Sequence, residues 1–160
     1  MPDIKNTNIQ EILQRLQVED PDLYAISQNE TSGGQNLNHS PVTSGVNKGH
    51  TAGGAWGMMP ITAKEIVGRN RELGSQYPQI ESADPETLTK AMNEDPYMAY
   101  ALAKSEYDRR LKLMDSDKSK AVYSWLNGIT GTKNAMPEDI ESSDYVQKFL
   151  KHLPTKVTQK

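Results

Sequence analysis

The sequence predicts a mainly α-helical domain, and three observations carry that expectation. Three Asp-Pro pairs, Asp20-Pro21, Asp84-Pro85 and Asp95-Pro96, punctuate the chain. An aspartate just before a helix accepts an otherwise orphaned N–H, and proline at the first helical position lacks the N–H that would have no partner there. Apolar residues recur at spacings of three and four through several stretches, which puts them on one helical face. No segment argues for a strand with comparable force.

Taken in order, the first helix is expected at about residues 8 to 17, with Ile9, Ile12, Leu13 and Leu16 on one face. The second runs from Pro21 to about Glu30. A third follows Pro60 through Ile61, Ile66 and Val67, and a fourth spans Pro85 to Met92. The longest runs from Pro96 to Met114, carrying Tyr100, Ala103, Tyr107, Leu111 and Met114. A sixth spans Lys118 to Leu126 and stops at Asn127-Gly128, a helix-ending pair. The last carries the stripe Tyr145, Val146, Phe149, Leu150 and Leu153.

The chain has 160 residues, which suits one domain. The expected organisation is a helical extension at 1–19, a core at 20–153 and a tail at 154–160. It is polar for a folded protein, with 35 % hydrophobic residues and a mean hydropathy of -0.74. The net charge of -3 and the lack of any run of five like charges argue against nucleic acid as a partner. With no cysteine, disulfides and thiolate metal sites are excluded. His39, His50 and His152 lie too far apart in sequence for a ligand motif, so no metal is expected. The N-terminus MPDIKNTNIQ has no apolar core of a secretion signal, and no apolar run approaches a bilayer's thickness. The expectation is synthesis in a cytoplasm with no membrane span, any extracellular target being reached by another delivery route.

Residues 31–54 hold six glycines and no Trp, Tyr or Phe. A loop of that length inside a compact domain is often functional, although a linker between helical parts would read the same way. A long Gly-rich loop or a small β-hairpin is expected there.

Glu30 is the leading candidate for chemistry. Leu23, Ile26, Ser27 and Glu30 stand at i, i+3, i+4 and i+7, hence on one helical face. A carboxyl at the end of an apolar stripe is desolvated, which raises its pKa and lets it act as a general acid. The negative end of the helix dipole adds to this. The plain alternative is a solvated glutamate in a last helical turn. GGAWGMMPITA (53–63) puts small residues around Trp56, with Met58 and Met59 as possible lining of an apolar groove. AVYSWLNG (121–128) gathers Tyr123, Trp125 and Asn127, faces and an amide of the kind that hold sugars. Core packing explains both segments equally simply.

Together, ETSGG (30–34), GGAWGMMPITA, AVYSWLNG and ESSDYVQKFL (141–150) resemble, in order, four landmarks of lytic transglycosylase (SLT, lysozyme-like) domains. The resemblance covers residues 20–153, and the loop text is most similar to phage-borne members. It implies a lysozyme-like fold and a peptidoglycan lytic transglycosylase. Glu30 would be its acid/base, with Thr31 and Ser32, in the turn beyond, among the substrate-binding residues. Gly57, Met58 and Met59 would form a groove segment, Tyr123 or Asn127 the Tyr-Asn landmark, and Tyr145 the late tyrosine. Two departures stand out. The Met-Met-Pro run is shorter than the family's and lacks its glutamine, and three residues separate Tyr123 from Asn127.

The implied reaction uses one carboxyl and no cofactor or metal. Glu30 protonates the MurNAc–GlcNAc glycosidic oxygen, then takes the proton of the MurNAc O6 hydroxyl as that oxygen closes onto C1. The product is a 1,6-anhydro sugar. The implied partners are peptidoglycan glycan strands and other virion proteins, with action at the cell wall from the virion or after release at lysis. Competing readings are a hydrolytic muramidase with Glu65 or Asp22 as second carboxylate, a non-catalytic glycan-binding or virion structural module, and an unrelated helical adaptor.

Overall fold

The computed structural model of the chain describes residues 9–34, 37, 41–43 and 48–153. Among them it contains ten helices: α1 (Ile9–Glu19), α2 (Pro21–Thr31), α3 (Pro60–Arg69), α4 (Arg71–Gln76), α5 (Gln79–Ser82), α6 (Pro85–Glu94), α7 (Pro96–Leu113), α8 (Lys118–Asn134), α9 (Pro137–Glu141) and α10 (Asp144–His152). The mainly helical class expected from the sequence is the class observed.

All three Asp-Pro pairs start helices as the chemistry requires. Asp20, Asp84 and Asp95 accept from the backbone N–H groups of Leu23, Thr87 and Met98 at 3.4, 2.7 and 3.0 Å. Asp20 does more than cap, because its other oxygen accepts from the Tyr100 hydroxyl at 2.9 Å. Asp22, two residues on, accepts from the Tyr107 hydroxyl at 3.0 Å and pairs with Lys118 at 3.2 Å. The first turn of α2 is thereby pinned to α7, which sets the direction in which α2 carries its far end.

The core forms where α2, α3, α7, α8 and α10 meet. Leu23, Ile26, Leu102, Val122 and Phe149 are fully buried, each worth about 1.5–3 kcal/mol relative to exposure. Trp56 lies at the centre. Its ring is tilted at 51° to Tyr100 with centroids 5.9 Å apart, and its indole N–H donates to the Leu23 carbonyl at 2.8 Å. Helix α1 contributes Ile12, Leu13 and Leu16 to the same core, so residues 9–19 pack as part of it rather than extending away.

Three differences from the sequence reading have local causes. Helices α4, α5 and α9 are four to six residues long, too short to show an apolar period. Helix α8 breaks at Gly128, where the Asn127-Gly128 pair predicts a stop, but a second helical piece follows it. Gly128 adopts φ 79, ψ 164, a left-handed break no side chain favours, and a second helical piece resumes to Asn134. The Thr132 hydroxyl donates to the Gly128 carbonyl at 2.8 Å and so anchors that second piece. The β-hairpin allowed for in 31–54 is not found among the described residues, which show only isolated pairings of Val42 with Lys48 and Gly53 with Met58. Residues 35, 36, 38–40 and 44–47, His39 among them, lie outside the described set, as do Asn8 and the expected tail at 154–160. No described helix is long and apolar enough to cross a membrane.

Candidate active site

Helix α2 delivers Glu30 in its last turn, and the chain then turns away sharply. Ser32 is exposed and left-handed (φ 53, ψ 46), and Gly33 and Gly34 follow with φ 69 and 78. Thr31 is buried. Its hydroxyl donates to the Ala55 carbonyl at 2.8 Å and accepts from the Gly34 N–H at 2.8 Å. Thr31 therefore ties the end of α2 to the segment that follows the long loop, and its side chain is committed to that role.

The segment it holds is a tight turn. Gly53 and Met58 exchange both backbone hydrogen bonds, at 2.8 and 2.9 Å. The Gly54 N–H is fixed by the Asn93 side chain at 2.7 Å. Between them Trp56 points inward and Gly57, at φ 63, faces Glu30. A β-carbon on Gly57 would sit 2.5 Å from Glu30 Oε1, so the carboxyl occupies the space that only glycine leaves open. Met58 is buried in the core, because the paired turn directs its side chain inward, and so it does not line an open groove. Met59 is half-buried just before α3.

Helix α10 supplies the third element. Ser143 caps it, accepting from Val146 N–H at 3.4 Å, which places Tyr145 in the first turn against α2. The Tyr145 hydroxyl donates to Glu30 Oε2 at 2.5 Å, and the Asn29 amide donates to the Tyr145 carbonyl at 2.8 Å. Residues 115 apart in sequence thus meet through two consecutive positions of α2. One carboxyl oxygen of Glu30 is held by a phenol and the other lies against the Gly57 backbone.

Burial raises the Glu30 pKa above the ordinary glutamate range, and the Tyr145 hydrogen bond opposes this by favouring the ionised form. Tyr145 is pushed far up by burial and then by the Glu30 charge, with Arg110 pulling weakly the other way. The phenol accordingly stays a donor at any working pH. Desolvation thus favours the protonated carboxyl, and the Tyr145 hydrogen bond favours the carboxylate. Tyr145→Phe removes the bond that favours the carboxylate and leaves the desolvation in place. The Glu30 titration, followed by carbon-13 NMR, is then expected to move to higher pH. Movement to lower pH would contradict the hydrogen-bonding pattern.

Next to this corner, the half-buried Trp125 of α8 donates its indole N–H to the Trp56 carbonyl at 3.4 Å, one residue from Gly57. Arg110 of α7 lies 5.6 Å from the Trp125 ring centroid and hydrogen-bonds to the Ser124 carbonyl and to its Oγ. No motif marks Arg110 in sequence, since it stands in the regular run of a long helix. The expected partners Tyr123 and Asn127 behave differently. Tyr123 is half-buried against the core, while Asn127 is exposed and its amide donates to the Tyr123 carbonyl at 3.1 Å. Neither hydrogen-bonds to Glu30, Tyr145 or Gly57. On a helix two residues apart point to opposite sides, so turning Trp125 toward the corner turns Tyr123 from it.

A separate groove of about 920 Å³ at His50, Asp84, Thr89 and Lys90 includes none of Glu30, Gly57 and Tyr145, and no Trp, Tyr or Phe lines it. Of the site residues expected from the sequence, the fold brings Glu30, Gly57 and Tyr145 together. No family model, curated protein or solved structure matches the chain, and the functional reading rests on these residues.

Proposed function

We propose that the chain is a peptidoglycan lytic transglycosylase of lysozyme-like type, with Glu30 as its single acid/base. The observation that supports this most is the lone, partly desolvated carboxyl of Glu30, with one oxygen hydrogen-bonded by Tyr145 of α10 and the other packed in the space left by Gly57. A group with a pKa raised toward the working pH can serve first as acid and then as base.

In this reading the protonated Glu30 gives its proton to the glycosidic oxygen as the C1–O bond breaks. Positive charge on the sugar and negative charge on Glu30 develop together, and the Tyr145 hydroxyl is placed to stabilise the latter. The MurNAc O6 hydroxyl then returns a proton to Glu30 while O6 bonds to C1. Protons balance, and water does not enter.

Hydrolysis by the same fold needs a second carboxylate, set about 5–9.5 Å from the first. Asp22 lies eight residues back along α2, roughly 12 Å at 1.5 Å per residue, and is bonded to Tyr107 and Lys118. Glu65 is exposed on α3. Neither hydrogen-bonds to Tyr145 or Glu30. Phage origin and virion partners belong to the same proposal and rest on the loop's resemblance to phage-borne members.

Digestion of purified peptidoglycan followed by mass spectrometry is the direct test. Anhydro-muropeptides, one water lighter than hydrolysed fragments, are the expected products. Reducing-end MurNAc as main product would instead identify a muramidase, and no released glycan would identify a binding or structural module.

A further inference from the structure

A second built site lies between the α3–α4 junction and α7, away from Glu30. A groove of about 480 Å³ is lined there by Arg69, Asn70, Arg71, Ser105, Glu106 and Arg109. Glu106 forms its floor, with a side chain only 4 % exposed. Its Oε2 accepts from Arg110 at 2.7 Å and from Arg109 at 3.2 Å. Its Oε1 is buried without a hydrogen bond, since Arg69 stands 3.8 Å away, beyond bonding distance. Arg110, which does not line the groove, already neutralises Glu106. Three guanidiniums, those of Arg69, Arg71 and Arg109, then face one groove in a chain whose net charge is -3.

Structure alone does not require this excess. One buried carboxylate needs one close cation, and each further guanidinium adds repulsion. Among the described residues Arg71 makes no ion pair, the Arg69 guanidinium has only its 3.8 Å pairing with Glu106 and no hydrogen bond, and Arg109 spends one donor. The Ser105 hydroxyl accepts from Asn70 at 3.2 Å and keeps its own proton free to donate. Guanidinium forks match the spacing of oxygens on a planar or tetrahedral oxyanion. The geometry points to a binding site for a phosphate dianion, free or as a monoester. Three cations over one neutralised carboxylate suit a doubly charged ligand better than a single carboxylate. This site stands independently of the reaction assigned to Glu30.

The test uses the whole chain and inorganic phosphate at pH 7.5, with sodium chloride at matched ionic strength as the control. Amide and arginine side-chain NMR signals of residues 69–71, 105 and 109 are expected to shift saturably with phosphate and not with chloride. The melting temperature should rise with phosphate over the same range. Arg71→Gln, an exposed change with no pair to break, is expected to weaken phosphate binding roughly tenfold or more, the scale of a lost charge-assisted hydrogen bond. Glycerol 3-phosphate binding at least as tightly identifies an ester as the ligand, and weaker binding identifies the free ion; either supports the site. Shifts that chloride reproduces, or an Arg71→Gln affinity equal to wild type, would overturn it.

Discussion

Glu30→Gln is expected to slow cell-wall lysis by roughly 10²–10⁴-fold, the usual contribution of a positioned general acid/base, and to leave the fold intact. The amide keeps the shape of the carboxyl, and its oxygen can still accept from Tyr145, whose hydroxyl lies 2.5 Å from Glu30 Oε2. Only the transferable proton is lost. Turbidity loss on purified walls measures the rate. Lysis at near wild-type speed would remove Glu30 from the mechanism.

The same variant carries a stability signature with a definite sign. Burial raises the Glu30 pKa in the folded state, so the folded protein binds this proton more tightly than the unfolded chain. Stability therefore falls as pH rises from the unfolded-state pKa through the raised folded one. Glutamine does not titrate. Its stability relative to wild type should be lowest in acid, rise across that window and level off above it. Thermal melts of both proteins across the window check this, and a variant less stable than wild type at neutral pH would contradict the desolvation argument.

Much of the fold was legible because its signals are local. An Asp-Pro pair states its own chemistry, and each of the three began a helix with the aspartate bonded to the third residue on. Long periodic stretches such as α7 carry their burial pattern in plain view. What escaped depended on length or on tertiary context. Four to six residues cannot display a helical period, so α4, α5 and α9 left no trace. Gly128 read as a stop, and locally it is one, but helix resumes beyond it.

The site divides in the same way. Glu30 was legible from one helical face, and Tyr145 from the family resemblance, yet nothing local says that a phenol 115 residues away would donate to that carboxyl. Thr31 and Ser32 sit beside Glu30 in sequence, and the resemblance implies that they bind substrate. Helical geometry instead turns Thr31 inward to Ala55 and leaves Ser32 as the exposed left-handed cap. Arg110 and its place over Trp125 depend on how α7 and α8 pack, which no spacing within either helix encodes.

Gly57→Ala is expected to disable the site more sharply than its one added methyl implies. Two penalties coincide there. At φ 63 an alanine costs about 1–2 kcal/mol over glycine. Its β-carbon would also stand 2.5 Å from Glu30 Oε1, a separation no real contact allows. The turn cannot relieve this easily, because Gly53 and Met58 are doubly hydrogen-bonded on either side and Trp56 is buried next door. The carboxyl must swing instead, and leaving Tyr145 costs it both its orientation and its partner. A displacement of about 1 Å in a reacting group can lower a rate on the order of 10²-fold, so a loss of that size in lysis is expected together with a lower melting temperature. Gly49 provides the control. It has φ 83 with nothing within 4 Å of an added β-carbon, so Gly49→Ala bears the backbone strain without the clash. If the two alanine variants lose stability alike and both keep wild-type lysis, the Glu30–Gly57 contact is not part of the catalytic centre.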